Sequence, residues 1–299
     1  MKNPVRNLFW CLRTWRALRR YPGLFSAADA AMQIDRVLLP WRFYSRAFRR
    51  ALEREAEMES MPDSIWRIRL RERGLSFYWP EAPTHNLYIL IEQEYCAGNP
   101  HCYTTPPAHL QPDSLVLDVG ACEGLFAFRT LKSGLAGRVI CFEPWGPMAD
   151  LLARGAAENG LADRLTVETC AVTKSSGSVN FHVDASAEAN RIVRTGAGNT
   201  KTVTAVSLDD YCATRQLQPT SRDLIKIDAE GADLDILLGA ERLIRNGGPQ
   251  IAVTTYHDDR HCFDIVDWLK KIQPAYQMRL KGFSFWTDRP RPVLLQAAL

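Results

Sequence analysis

Residues 223–238 read DLIKIDAEGADLDILL, a short apolar run with Lys226, Asp228 and Glu230 at alternate positions, followed without a linker by a helical pattern. Side chains alternate across a strand, so Lys226 and Asp228 share one face and Ile225 and Ile227 the other. Two charges on an otherwise buried strand are costly unless paired or used. Outward from this stretch the same alternation of strand and helix repeats. Strands are expected at 115–119, 138–142, 165–169, 203–207, 224–228 and 250–255, and helices at 124–132, 146–159 and 232–245, the last stopped by Gly247, Gly248 and Pro249. The strands are β-branched or Leu-rich with little alternation, as in strands covered on both faces. The pattern predicts a doubly wound, mostly parallel Rossmann-like α/β sheet with helices on both faces, whose ligand lies beyond the carboxyl ends of the strands. YQMRLKG and FSFWTDRPRPVLLQ read as a C-terminal hairpin closing the sheet.

Before this unit the chain changes character. Three segments are expected: a basic helical extension over 1–60, a β-hairpin, short helix and Pro-rich lead-in loop over 61–112, and the catalytic domain over 113–299. Residues 1–50 hold 11 Lys and Arg against 2 Asp, whereas the remainder holds 26 against 32, so the overall charge of +3 conceals a basic N-terminus. In residues 3–20, Val5, Leu8, Phe9, Leu12 and Trp15 fall on one helical face, beside a stripe of Lys2, Arg6, Arg13 and Arg20. Such a helix suits either an anionic membrane surface or packing on its own domain. A second helical stretch opens at Ser26, breaks at Pro40 and resumes through RALEREAEMES. Residues 64–80 alternate as a hairpin, and HNLYILIEQEY follows as a short helix.

The 299 residues, 46% of them apolar, suffice for a packed core. Eight scattered cysteines without a CxxC pair read as reduced thiols, pointing to a cytoplasmic location. The run Leu8–Leu12 is too short for a signal-peptide core, and no membrane span is evident.

The first strand of the unit ends in LDVGACEG, residues 117–124, where Gly120 and Gly124 allow a tight turn and close approach of a ligand to the backbone. A glycine-rich turn alone also serves nicotinamide and flavin enzymes. Three details point instead to S-adenosylmethionine. The spacing is not GxGxxG, and Asp118 ends the strand where an anion would repel a pyrophosphate but suit a cationic amino-acid group. Glu143 ends the second strand, where two ribose hydroxyls need an acceptor. No Gly-Lys-Ser/Thr sequence follows, which disfavours a nucleoside triphosphate.

From Leu115 to about Thr255 the chain resembles the FkbM family of S-adenosylmethionine-dependent methyltransferases, through LDVGACEGLFAF, VICFEPWGPMADLL, Asn159, ETCAVTKSSGSVNF, VSLDDY and above all LIKIDAEGADLDILLGA. The resemblance implies that Asp118, Gly120, Ala121 and Gly124 lie at the methionine and ribose end of the cofactor. It puts Glu143 on the ribose hydroxyls and the backbone at Cys170 and Ala171 near the adenine. Cys122 and Glu123 depart from the Asn and apolar residue that the family often carries. The implied activity is O-methylation of a hydroxyl on a sugar of a glycan, glycolipid or secondary metabolite. Two alternatives stay open: an RNA 2′-O-methyltransferase using the basic segment against phosphates, and a non-catalytic partner that keeps the fold.

The strand 224–228 then faces the transferring methyl. Asp228 is expected to orient the acceptor hydroxyl, with His257 or Glu230 as base and Lys226 holding Asp228 by an ion pair. The competing reading makes Lys226 and Asp228 a structural pair and Glu230 a helix-start carboxylate. His257, Asp258, Asp259, His261 and Cys262 cluster but match no metal-ligand spacing, and His101, Cys102 and His109 lack a complete set, so no required metal is expected.

Overall fold

The structure, a computed structural model, describes residues 3–183, 191–193 and 200–299. Its central sheet has seven strands in the order Gln277–Phe283, Pro292–Ala298, Gln250–Thr254, Leu224–Ile227, Leu115–Val119, Arg138–Phe142 and Leu165–Glu168. The last five are mutually parallel, and Pro292–Ala298 runs antiparallel to both its neighbours. Leu115–Val119 and Leu224–Ile227 are adjacent although 104 residues separate Val119 from Leu224. The strand order reverses between them, and a crevice opens at the carboxyl ends on either side of that reversal.

Both faces of the sheet are covered. On one, Leu117, Val119, Ile225, Ile227 and Val253 pack against helices Leu208–Thr214, Asp233–Leu238, Glu241–Gly247 and His261–Ile272. On the other, Val116, Val139, Cys141 and Ala252 pack against Leu87–Tyr95, Leu125–Lys132 and Gly146–Glu158. Burial of these β-branched runs on both sides is the dominant stabilising term, at roughly 25 cal/mol per Å² of apolar surface removed from water. The extension is not a separate body: Cys11, Leu18, Tyr21, Leu24 and Val37 join the first of these cores.

Four expectations change in the structure. The residues AEMES at the end of the charged run form a strand, Ala56–Ser60, antiparallel to Trp66–Leu70, so the hairpin becomes a three-stranded sheet. The register sets Glu57 opposite Arg69 and Glu59 opposite Arg67, so the run is matched to the neighbouring strand by cross-strand ion pairs. The strand expected at 203–207 spans Thr200–Val206 and lies outside the central sheet, pairing with Gly177–His182 and Ala171–Val172. Its Lys201, Thr202 and Thr204 are exposed, which a strand covered on both faces would not tolerate. The helix expected at 232–245 is two, parted at Gly239, where a Cβ would stand 2.3 Å from the Thr173 carbonyl oxygen.

The fourth change concerns the first helix, Pro4–Leu18, capped by Asn3. It buries Asn7, Cys11 and Leu18, and the Asn7 amide donates to the Val37 carbonyl. Of the apolar face, Trp15 packs against the first core and donates to the Phe25 carbonyl, whereas Val5 (78%) and Phe9 (58%) are exposed with Leu8 and Leu12 beside them.

Candidate active site

The turn after Leu115–Val119 meets the turn after Leu224–Ile227. Gly120 has φ +74°, and a Cβ on it would lie 1.9 Å from the Asp228 carbonyl oxygen, so only glycine lets the two loops touch. Lys226 lies beneath this contact. Strand register sets it opposite Asp118, and its Nζ is 2.8 Å from Asp118 Oδ1 while donating to the Gly120 carbonyl at 2.8 Å. Burial opposes the charge on Lys226, but Asp118 and then Asp228 overcome it and raise its pKa. The ion-pair partner of Lys226 is therefore Asp118, not the Asp228 expected from alternation along one strand. Asp228 stands beyond the last paired residue, where its carboxylate has turned to other partners. Asp118 is fully buried under the loop rather than facing a ligand, so its part is to anchor Lys226 and the turn.

A cavity of about 760 Å³ opens above the two turns, within the usual range for a small-molecule site. At one end it is lined by Gly120, Ala121, Cys122, Glu143, Cys170 and Ala171. Glu143 accepts the backbone N–H of Cys122 at 3.1 Å and that of Trp145 at 2.9 Å. Burial raises its carboxyl to about 7 against the pull of those two N–H groups. Gly124, at φ +82°, packs against Leu152 and Phe128 and shapes the helix start rather than the cavity wall.

At the other end Asp228 is the hub. Its Oδ2 accepts the Tyr103 hydroxyl at 2.7 Å and lies 3.2 Å from His101 Nε2, while Oδ1 faces Tyr256 and Thr254 hydroxyls at 3.3 Å. Burial alone would raise its pKa, yet His101 and then His257 hold it well below the ordinary carboxylate value. His257 Nδ1 bonds Asp233 Oδ2 at 2.8 Å, and its Nε2 points between Asp228 and Glu230. Burial disfavours a charge on His257, but Asp233 first, then Glu230 and Asp228, push its pKa well above the usual value. Glu230, with φ +46°, reaches the same gap from the more exposed side. Asp228, His257 and Glu230 thus converge, and Lys226 supports them from below.

Comparison with known proteins decides what this cavity belongs to. The pattern described as the methyltransferase FkbM domain matches residues 118–285, more than half of the chain. The chain belongs to the FkbM methyltransferase family. It is 27% identical over 151 residues to the 2-O-methyltransferase NoeI of Sinorhizobium fredii, an alignment that covers 45% of this chain and 60% of that protein. The chain thus matches less than two thirds of the length of that relative. Among solved structures it is similar to the FkbM methyltransferase of Methylobacillus flagellatus, with a TM-score of 0.49, 21% identity and coverage of 86% of this chain and 59% of that one. It is also similar to an O-methyltransferase from Bacillus cereus in complex with SAH, with a TM-score of 0.38, 16% identity and coverage of 63% and 76%.

The cofactor of this FkbM methyltransferase is S-adenosylmethionine, and the residues present fit it. Gly120 and Ala121 line the cavity, and the missing Cβ of Gly120 lets the Asp228 carbonyl close against the turn, which brings the two ends of the cavity together. Glu143 is fixed by two N–H groups with its carboxylate at the cavity wall, where it would accept the ribose hydroxyls. Cys170 and Ala171, with Phe142 and Val172, would hold the adenine. Cys122 and Glu123, the departures from the family pattern, both line the cavity at the end that would take the methionine group.

Sequence reasoning misses several residues of the cluster. It offers His101 only as a stray metal ligand and Tyr103 not at all, because the loop 95–112 carries no periodicity that would aim them. Asp233, fully buried, reads as an ordinary first-turn carboxylate of a helix. His261 also reaches Asp233, at 3.5 Å, so the His-rich segment serves the cluster through that carboxylate.

Proposed function

We propose that this methyltransferase moves the methyl group of S-adenosylmethionine onto a hydroxyl of a sugar, in a glycan, a glycolipid or a related secondary metabolite. When bound, the cofactor supplies an electrophilic methyl carbon on a cationic sulfur. The observation that carries the reading is the contact of Gly120 with Asp228, which puts a cluster of carboxylates and an imidazole directly beside the cofactor turn. A neutral hydroxyl is a weak nucleophile and needs both alignment and a proton acceptor. Asp228, pinned by Tyr103 and His101, orients the hydroxyl. Glu230, at the cavity edge, takes its proton, and His257, fixed by Asp233, faces Glu230 and Asp228. Lys226 keeps the two turns in register. The name of the Sinorhizobium relative, a 2-O-methyltransferase, supports transfer to oxygen.

The test is incubation with methyl-labelled S-adenosylmethionine and cell extract. Label in lipid-linked or free glycan, lost in Asp228→Asn, is the expected result. Label in RNA would move the acceptor to a ribose hydroxyl. Wild-type turnover in both Asp228→Asn and His257→Ala would sink the site.

We also propose that the enzyme works at the cytoplasmic face of an anionic membrane, held there peripherally. No helix among the described residues is long and apolar enough to cross one. Support comes from the exposed Val5, Leu8, Phe9 and Leu12 beside exposed Arg6 and Arg13. Removing residues 1–22 would also delete the buried Leu18 and Tyr21. Leu8→Glu with Phe9→Glu is the cleaner probe, and it should abolish co-sedimentation with anionic vesicles at unchanged thermal stability. Undiminished binding would refute the role of this face.

A further inference from the structure

Asp228, Glu230 and His257 present one ligand atom each within 4.8 Å of one another, at the cavity wall. His257 Nε2 is buried, on a side chain only 6% exposed, and has no hydrogen-bond partner among the described residues. Its nearest acceptors, Glu230 Oε1 at 3.5 Å and Asp228 Oδ1 at 3.6 Å, are at or beyond the limit of a hydrogen bond. Those spacings suit a shared cation: ligand atoms about 2.1 Å from a tetrahedral centre lie about 3.4 Å apart. An octahedral centre sets neighbouring ligand atoms about 3.0 Å apart and so asks for a contraction of about half an ångström. The surroundings are ordered for ligation. Asp233 accepts from His257 Nδ1, the carboxylate–histidine arrangement that aims the other ring nitrogen at a metal. Tyr103 and His101 occupy Asp228 Oδ2, while Oδ1, which also faces the Thr254 and Tyr256 hydroxyls at 3.3 Å, stands 3.6 Å from His257 Nε2.

We propose that Asp228, Glu230 and His257 form a divalent-cation site, of the Mn²⁺ or Mg²⁺ class, whose open positions face the cavity and take the acceptor hydroxyl. Two carboxylates and one imidazole favour Mn²⁺, which accepts both nitrogen and oxygen. The existence of the site stands on this geometry alone, and its role rests on the hydroxyl-transfer reading. In that role the cation coordinates the hydroxyl oxygen and makes its proton more acidic. The proton passes to the second oxygen of Glu230. The freed oxygen pair forms the O–CH₃ bond, and the C–S bond breaks with its electrons left on sulfur. His257 is then a ligand and Glu230 the proton acceptor.

The probe is Mn²⁺ itself, added to the full chain after chelator treatment and followed by electron paramagnetic resonance and calorimetry, without acceptor. One Mn²⁺ should bind per chain. Binding should fall by more than tenfold in Glu230→Gln, a near-isosteric change at a partly exposed position, and be lost in His257→Ala. Asp233→Asn, which keeps an acceptor for the Ala229 N–H and Thr254 hydroxyl but removes the charge that fixes His257, should weaken binding by about 10–100-fold. Absence of binding at millimolar Mn²⁺, or equal binding by wild type and Glu230→Gln, overturns the proposal. Because these readouts need no turnover, their failure says nothing against methyl transfer. Conversely, Mn²⁺ binding without label in any hydroxyl acceptor would uphold the site and count against the transfer reading.

Discussion

At one end of the cavity the turn Gly120–Glu123 presents backbone and two buried carboxylates, Glu123 and Glu143, the second fixed by two N–H groups. At the other, side chains from three separate segments, 101–103, 228–233 and 254–257, converge on Asp228. The first construction suits a ligand that is always the same: close approach and a few fixed acceptors suffice. The second suits chemistry, since charges must be held where a reacting group will need them, and holding them requires partners on every side. Lys226 joins the two ends, paired with Asp118, bonded to the Gly120 carbonyl and held within the field of Asp228.

Substitutions can separate the two ends or collapse them together. Gly120→Ala should collapse both, because the new Cβ would overlap the Asp228 carbonyl at a backbone angle that alanine avoids. A loss above about 4 kcal/mol in urea unfolding, with no cofactor bound, is expected. Lys226→Met should cost about 3–5 kcal/mol by stranding Asp118 in the core. The double variant Lys226→Met with Asp118→Leu should recover most of that stability, and a double variant no more stable than the single would contradict the pairing.

Glu143→Gln acts on the cofactor end alone and should weaken S-adenosylmethionine binding by about 10–100-fold, or roughly 1.5–3 kcal/mol. In the wild type the ionised carboxylate accepts the ribose hydroxyls, and its carboxyl titrates near 7. Affinity should therefore be full above pH 8 and fall by about tenfold per pH unit below 7, a dependence that the Glu143→Gln substitution abolishes. Calorimetry across pH 5.5–8.5 measures it. Tyr103→Phe acts on the other end alone and should be the mildest, since His101 still holds Asp228 Oδ2. A loss of about 1 kcal/mol, near fivefold in kcat, with unchanged cofactor affinity is expected.

The same contrast explains what can be read from the sequence. LDVGACEG and CFEP are contiguous and end strands, so strand periodicity and glycine spacing are enough to place the cofactor end. LIKIDAEG and His257 are legible for the same reason. His101 and Tyr103 lie in a Pro-rich loop whose path is set by tertiary contacts, among them the bonds of Gln296 to the carbonyls of Tyr103 and Thr105. No local pattern announces those. The Lys226–Asp118 pair escapes a linear reading because it depends on which strands are neighbours, a property of topology rather than of spacing. AEMES fails as a helix on similar grounds, its glutamates being matched to arginines 8 to 14 residues further on.

The most direct test measures cofactor affinity and methyl-transfer rate on the same preparation of Asp228→Asn. Division of labour between the ends predicts that kcat falls by about 10²–10⁴-fold while the Kd for S-adenosylmethionine stays within about threefold of wild type. A Kd that weakens as much as the rate falls, or a rate that does not fall, would contradict it.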